Sequence, residues 1–285
     1  MNIFENSPFI SLLHERIDAV APGIEILYLD LEGETVEGEV SFSADRSVIF
    51  IGLAHIARFT ISLDLKQAII RLAPNQEKSL RVNIATYSAL LTMLHAVRGR
   101  LTFHGNCLSF DGKSYALLGG SGAGKSTLTL FALMHSHRLV GDDSVVILEN
   151  RDVTGGRPFL HLTKETFSEL LPNRTVPVQA KEFQLLANLG LSPALPLANR
   201  LSGIYLLEQG DRVEVAPCTD LPRIVFSLLN SGRMMATLVK HDPTIVDRLQ
   251  SLAETVGVSR LIYPRSFINL PETLQALERD LKRRS

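Results

Sequence analysis

Cysteine is nearly absent: Cys107 and Cys218 are the only two in 285 residues, and they lie far apart. That excludes a disulfide framework and a four-ligand zinc site, and it suits a reducing cytoplasm. No charge of one sign dominates, because 29 lysines and arginines meet 30 aspartates and glutamates for a formal net charge of −1. Such balance provides no general field for nucleic acid or a membrane surface, so the partner is expected in a site. No apolar run approaches the roughly 20 residues of a membrane span. The opening Met-Asn-Ile-Phe-Glu-Asn-Ser-Pro also lacks a basic segment followed by a long apolar one. The expectation is a cytoplasmic protein, neither secreted nor inserted in a membrane. Internal repeats and low-complexity tracts are missing too. What is present is a composition 45% hydrophobic and 21% charged, that of a folded globular chain of one large domain or two.

The densest chemical signal is residues 118–127, Leu-Gly-Gly-Ser-Gly-Ala-Gly-Lys-Ser-Thr. It fits G-x-x-x-x-G-K-[ST], with Gly119, Gly124, Lys125 and Ser126 in the required places. The apolar Tyr115-Ala116-Leu117-Leu118 before it has strand character, and 127–134 after it has helix length. Gly119, Gly120, Gly122 and Gly124 permit positive φ and close backbone approach, so successive N–H groups, with the helix N-terminus, can line an anion site. Ser121, Ala123 and Thr127 complete the stretch expected to hold the nucleotide. Lys125 would add a point charge to the terminal phosphates, and the Ser126 hydroxyl a magnesium ligand.

Residues 1–80 read as a separate α+β domain. Ser7-Pro8 starts a helix to about Val20, and short strands follow at 24–30, 36–42, 47–53, 59–63 and 67–72, spaced as in an antiparallel sheet. Glu32, Glu34 and Glu37 form an acidic turn that reads as a solvated face, and 74–78 as a linker. Residues 81–285 then form the catalytic domain, beginning with a helix over 84–97 expected to pack under its sheet. Strands 101–109 and 113–118 flank Asp111-Gly112, a strong hairpin signal that delivers the loop. Past the loop helix, 137–140 reads as a very short strand ending in Gly141-Asp142-Asp143, with another at 145–148. Residues 150–156 read as a polar turn, 159–162 as a strand, 164–171 as a helix, and 173–200 as a substrate loop or irregular connection. Gln209-Gly210-Asp211 is expected to join 204–207 and 213–215 as a hairpin. Helices over 221–229, 244–255 and 270–281, with a strand at 261–263, complete the chain, and Lys282-Arg283-Arg284 reads as charge favourable to the last helix dipole.

Phosphate loops serve many activities, so a second acidic element must discriminate. A transporter-ATPase reading fails because Leu201-Ser202-Gly203 lacks the Gly-Gln continuation and no hydrophobic strand ending in Asp-Glu follows; a GTPase reading fails for want of N/T-K-x-D. What stands together is His104-Gly105 before the loop, Lys125-Ser126 in it, and His137-Arg138-Leu139-Val140-Gly141-Asp142-Asp143, with Asp142 17 residues after Lys125. This set resembles the catalytic domain of HPr kinase/phosphorylase, which shows an HG pair, a GxSGxGKS loop and an RGHRLVADD segment at matching intervals. The strong part covers about 101–148. Thr127 stands where those kinases carry glutamate, Gly141 replaces an alanine, and Gly-Arg-Pro-Phe-Leu-His-Leu at 156–162 stands in place of the E-I-R-G-L-G signature. The short N-terminal sheet, the approach to the loop and Lys181 make the chain similar to the kinases of lasso-peptide and other modified-peptide pathways.

The resemblance implies an α/β fold: a P-loop kinase domain of the HPr kinase/phosphoenolpyruvate carboxykinase type with a mixed sheet, plus the small α+β domain. It implies ATP and Mg2+, and γ-phosphate transfer to a hydroxyl, serine first, of a peptide, small protein or small metabolite, with no nucleic-acid or membrane partner and an oligomer allowed. Asp142 would be the general base, Asp143 the metal-side residue beside Ser126, and His104 the neighbour that orients the catalytic aspartate; the two aspartates' roles can be exchanged. Lys181, then Arg157 and Arg233, are candidates for holding the transferring phosphoryl group, and His161 reads as structural. The alternatives are a nucleotide-binding regulator or assembly protein with little phosphotransfer, and a carboxykinase-like enzyme drawing on Arg98 and Arg100.

Overall fold

A computed structural model describes residues 7–30, 37, 40–53, 55–73, 79–174, 180–195, 200–232 and 235–284. The expected linker at 74–78, Glu32, Glu34 and Arg233 lie outside these residues. The chain divides into two compact units, Met1–Gly99 and Arg100–Ser285.

In the first unit, α1 (Pro8–Val20) starts with Pro8 in its first turn, where a missing N–H costs nothing, and buries Ile10, Leu13, Ile17 and Val20 at helical spacing. Strands β1 (Glu25–Asp30), β2 (Val40–Phe42), β3 (Val48–Leu53), β4 (Ala57–Ser62) and β5 (Gln67–Leu72) form one sheet in the order β1-β5-β4-β3-β2. It is not wholly antiparallel as the spacing suggested, because β1 runs parallel to β5. The helix α2 (Leu80–Val97), capped by the Ser79 hydroxyl accepting from the Val82 N–H, packs on α1. It therefore belongs to the first unit, and the division falls after it, not at residue 80. Its apolar stripe matched the needs of any neighbouring core, which is why periodicity alone put it in the wrong unit.

The second unit contains β6 (Leu101–Phe103), β7 (Gly105–Phe110), β8 (Lys113–Leu118), α3 (Lys125–Leu133), β9 (Arg138–Ile147), β10 (Val153–Arg157), β11 (Leu160–Thr163), α4 (Lys164–Leu170), β12 (Lys181–Gln184), β13 (Leu201–Gln209), β14 (Glu214–Pro217), α5 (Leu221–Ser231), α6 (Met235–Leu238), α7 (Thr244–Val256), β15 (Val258–Tyr263) and α8 (Leu270–Arg283). Its main sheet runs β10-β9-β7-β8-β13-β15-β14, with β6 also paired to β9. It is mixed, as expected: β8, β13 and β15 are mutually parallel, whereas β7 is antiparallel to both β8 and β9. Residues Ser114–Leu118 are all buried, because β8 is covered on both faces. One face carries Leu128, Leu130 and Leu133 of α3 with Leu270, Leu274, Leu277 and Leu281 of α8. The other carries Ile224 and Leu228 of α5 and Ile245, Leu249 and Leu252 of α7. Each such leucine contributes roughly 1.5–3 kcal/mol on burial.

Four expectations are corrected here. The two expected strands are one, β9 (Arg138–Ile147), so the aspartates lie inside a strand and not at its end; Asp143 takes φ +70°, where the β9–β10 register shifts. The polar turn is shorter than 150–156, because Gly155 to Arg157 are buried on β10. A Cβ on Gly141 would lie 2.3 Å from the Gly155 Cα, so close strand approach explains glycine at 141. The segments at 204–207 and 213–215 form no hairpin, since β15 lies between β13 and β14. Finally, Arg284 is more than dipole charge: it pairs with Asp280 at 2.7 Å and donates to the carbonyls of Val256 and Gly257 and to Ser259 Oγ.

Candidate active site

The Asp111-Gly112 turn, with φ of +49° and +73°, joins β7 to β8 as a hairpin and sends the chain into the glycine-rich loop. Within that loop Gly122 and Gly124 take φ of +75° and +89°, and Gly124 caps the N-terminus of α3. The loop is braced from behind by a residue the sequence did not single out. Tyr263, at the end of β15, donates its hydroxyl to the Ala123 carbonyl at 2.9 Å. A Cβ on Gly124 would meet that hydroxyl at 2.3 Å, so glycine is required here by space as well as by φ. Burial pushes the Tyr263 phenol up to about 12, with Arg265 opposing, so it remains a donor at neutral pH.

Lys125 is largely buried and its Nζ donates to the carbonyls of Gly119 at 2.6 Å and Gly120 at 3.0 Å. The ammonium is thus held over the mouth of the loop by groups that phosphate oxygens can replace. The loop floors a cleft of about 350 Å³ whose walls include Ser126, Thr127, His104, Asp142, Asp143, Arg157, His161 and Lys181. The expected loop residues Ser121, Gly122, Ala123 and Gly124 line it as well.

The acidic end is a four-residue network. Arg157 Nη2 lies 2.8 Å from Asp142 Oδ2 and 3.3 Å from Asp143 Oδ1. His104 Nδ1 lies 3.1 Å from the Asp143 carbonyl oxygen and 3.5 Å from Asp143 Oδ1. His104 therefore contacts Asp143, one of the two aspartates between which the catalytic role was left open. Its position follows from a break between β6 and β7, where its N–H donates to the Ser231 carbonyl at 2.6 Å, outside the sheet ladder. Asp142 is 1% exposed, and burial raises its pKa, with Arg157 pulling the other way. Asp143 keeps 22% of its side chain exposed and is the more accessible carboxylate.

Asn106 was also missed. Its Nδ2 donates to Thr129 Oγ1 at 2.8 Å and its Oδ1 accepts from the Asp143 N–H at 3.3 Å, tying the loop helix to the acidic strand. Thr127 is 2.7 Å, hydroxyl to hydroxyl, from Thr166, whose N–H donates to the hydroxyl of Thr163, the N-cap of α4, so it links α3 to α4. Lys181 reaches the cleft from β12, whose pairing with β11 gives order to part of the segment expected to be irregular. His161 stacks on Phe183 at 4.2 Å, and Phe183 in turn lies under the Arg157 guanidinium at 5.3 Å. His161 thus borders the cleft as well as packing.

The donors suit a polyphosphate: backbone amides at a helix N-terminus, a lysine, and flanking Arg157 and Lys181. Among the described residues no group of three His, Cys, Asp or Glu forms a metal cluster. Magnesium fits such a site through Ser126 and an aspartate, since it takes few protein ligands and completes its shell with water and phosphate oxygens.

No family model matches the chain. It is similar to the HPr kinase/phosphorylase of Caldanaerobacter subterraneus subsp. tengcongensis, 34% identical over 93 residues, which is 31% of this chain and 30% of that protein. The Hpr(Ser) kinase/phosphatase from Coxiella burnetii aligns over 64% of this chain and 90% of the other, at 15% identity and a TM-score of 0.34. Among the described residues no helix is long and apolar enough to cross a membrane. Over the 93 matched residues, the chain is related in sequence to HPr kinase/phosphorylase.

Proposed function

We propose that this chain is an ATP- and magnesium-dependent kinase that transfers the γ-phosphate to a hydroxyl, that of a serine in a peptide or small protein. The observation that carries the reading is the meeting of Lys125, Ser126, His104, Asp143 and Arg157 around one cleft. A protein that only stored a nucleotide would need the loop but not an accessible carboxylate with a histidine against it.

In this reading the loop amides and Lys125 hold the terminal phosphates, Lys125 exchanging the Gly119 and Gly120 carbonyls for phosphate oxygens. Magnesium, which Ser126 and one aspartate would hold, would supply charge neutralisation on the phosphates. Asp143 accepts the acceptor's proton as the hydroxyl oxygen bonds to the γ-phosphorus and the bond to the nucleoside diphosphate breaks. Asp142 is less suited to that task, since its carboxylate is buried and committed to Arg157. This exchanges the roles that the family resemblance suggested. His104 positions Asp143, and Arg157 and Lys181 balance charge on the moving phosphoryl group.

The test is transfer from γ-labelled ATP with magnesium to a panel of serine peptides, comparing wild type, Asp143→Asn and Asp142→Asn. Transfer that falls about 10²–10⁴-fold in Asp143→Asn while nucleotide binding persists supports the assignment. Tight ATP binding with no transfer to any acceptor would replace the kinase with a nucleotide-binding regulator.

A further inference from the structure

The acidic strand and the segment after β15 flank the phosphate loop from opposite sides. In the sheet β9 lies two strands from β8 on one side, across β7, and β15 lies two strands away on the other, across β13. With strands about 4.8 Å apart, each flank sits about 10 Å from the loop strand. The terminal phosphate and its acceptor belong beside Asp143, so the rest of a bound nucleotide is directed toward the β15 side. That side has the matching chemistry. Tyr263 fixes the end of β15 to the loop, and the following turn sends Arg265, Ser266 and Phe267 to the cleft wall. Phe267 is only partly buried, its body packed on the core of α3 and α8. Arg265 is exposed and has no ion-pair partner among the described residues. The turn is held in shape by Ser266, whose hydroxyl accepts from the Ile268 N–H at 3.3 Å and whose N–H donates to the Pro264 carbonyl at 2.8 Å.

We propose that Phe267 and Arg265 form the nucleobase subsite, where the base of a nucleoside triphosphate stacks on the Phe267 ring with the Arg265 guanidinium alongside. The subsite rests on the reading of the loop as a polyphosphate site. An aromatic face with a neighbouring cation favours a planar heterocycle, and such stacking is sequence-tolerant because every base has a π-face. The subsite therefore supplies affinity for a nucleotide over a bare polyphosphate.

The experiment measures binding of ATP and of inorganic tripolyphosphate, each with magnesium, to wild type, Phe267→Leu and Phe267→Tyr. Leucine retains the apolar packing on the core and removes the ring; tyrosine restores the ring. The expected result is that wild type binds ATP about tenfold or more tighter than tripolyphosphate. Phe267→Leu should lose that margin without weakening tripolyphosphate, and Phe267→Tyr should recover it. Equal affinity of wild type for the two ligands overturns the subsite while leaving the phosphate site standing. Equal loss of both ligands in Phe267→Leu also overturns it, by showing a structural role. Failure of wild type to bind either ligand overturns the phosphate-site reading, and the subsite with it.

Discussion

Arg157 Nη2 lies 2.8 Å from Asp142 Oδ2 across the β9–β10 strand pair, with both side chains almost wholly buried. The pair explains how a carboxylate sits within a strand covered on both faces. Removing one partner leaves the other charge unpaired in the interior, which costs far more than the pair itself is worth.

Arg157→Gln should lower stability by about 3–5 kcal/mol at neutral pH, measured by urea unfolding. Burial already raises the Asp142 pKa, and losing the guanidinium raises it further. A carboxyl raised above its unfolded value contributes most at low pH, where it is protonated, and loses that contribution as pH rises through the folded value. The deficit of Arg157→Gln relative to wild type should therefore shrink as pH is lowered toward about 4. A deficit that is constant across that range would mean that the charge of Asp142 is not the cause.

Gly124 and Tyr263 should behave as a coupled pair. Tyr263→Phe removes one buried hydrogen bond to Ala123 and should cost about 1 kcal/mol. Gly124→Ala should damage nucleotide binding severely, because a Cβ there meets the Tyr263 hydroxyl at 2.3 Å and φ is +89°. The clash disappears in the Tyr263→Phe background but the φ strain does not. A double-mutant cycle on ATP affinity should show partial relief, and strict additivity would count against the brace.

His137 gives the second unit a pH-sensitive anchor. Its Nδ1 lies 2.8 Å from Tyr115 Oη and its Nε2 3.0 Å from Glu278 Oε1, and the Phe110 ring stacks on it at 4.2 Å. Burial lowers its pKa from 6.5, with Glu278 opposing. In the window between the folded value and 6.5 the unfolded chain binds more protons, so stability rises with pH and falls as pH drops below 6.5. Unfolding measured across that window should show this slope in wild type and a flatter one in His137→Gln.

Arg284→Ala should destabilise the second unit by roughly 2 kcal/mol, because charge-assisted bonds to Asp280 and to carbonyls of the α7–β15 turn are lost. Arg284→Lys should recover little in thermal unfolding, since an ammonium cannot present the same fork of donors. Full recovery by lysine would reduce the contact to simple charge.

Much of the candidate site could be read locally. Asp111-Gly112, the glycines of the loop, Lys125 and Ser126 act through backbone geometry and hydrogen bonds within a few residues, so their order along the chain carries their chemistry. Arg157 was undervalued because Gly-Gly-Arg after a polar stretch has turn chemistry, and its value depends on a carboxylate 15 residues earlier. Asn106 and Tyr263 had no local signal, since each acts on a segment reached only by sheet pairing. Gln209-Gly210-Asp211 misled for the same reason: its turn chemistry was sound, but β15 took the position beside β13.

The sequence by itself determined the glycine-rich loop, the hairpin before it, most helix boundaries and the mixed α/β class, because caps, turns and apolar periodicity are short-range properties. Only the tertiary structure decided which unit α2 joins, the order of strands around β13, and the placement of Arg157 and His104 against the aspartates. Those depend on which apolar faces find each other and on pairing across long stretches of chain. Neither a residue's type nor its neighbours in sequence encodes the distance at which a buried charge meets its partner.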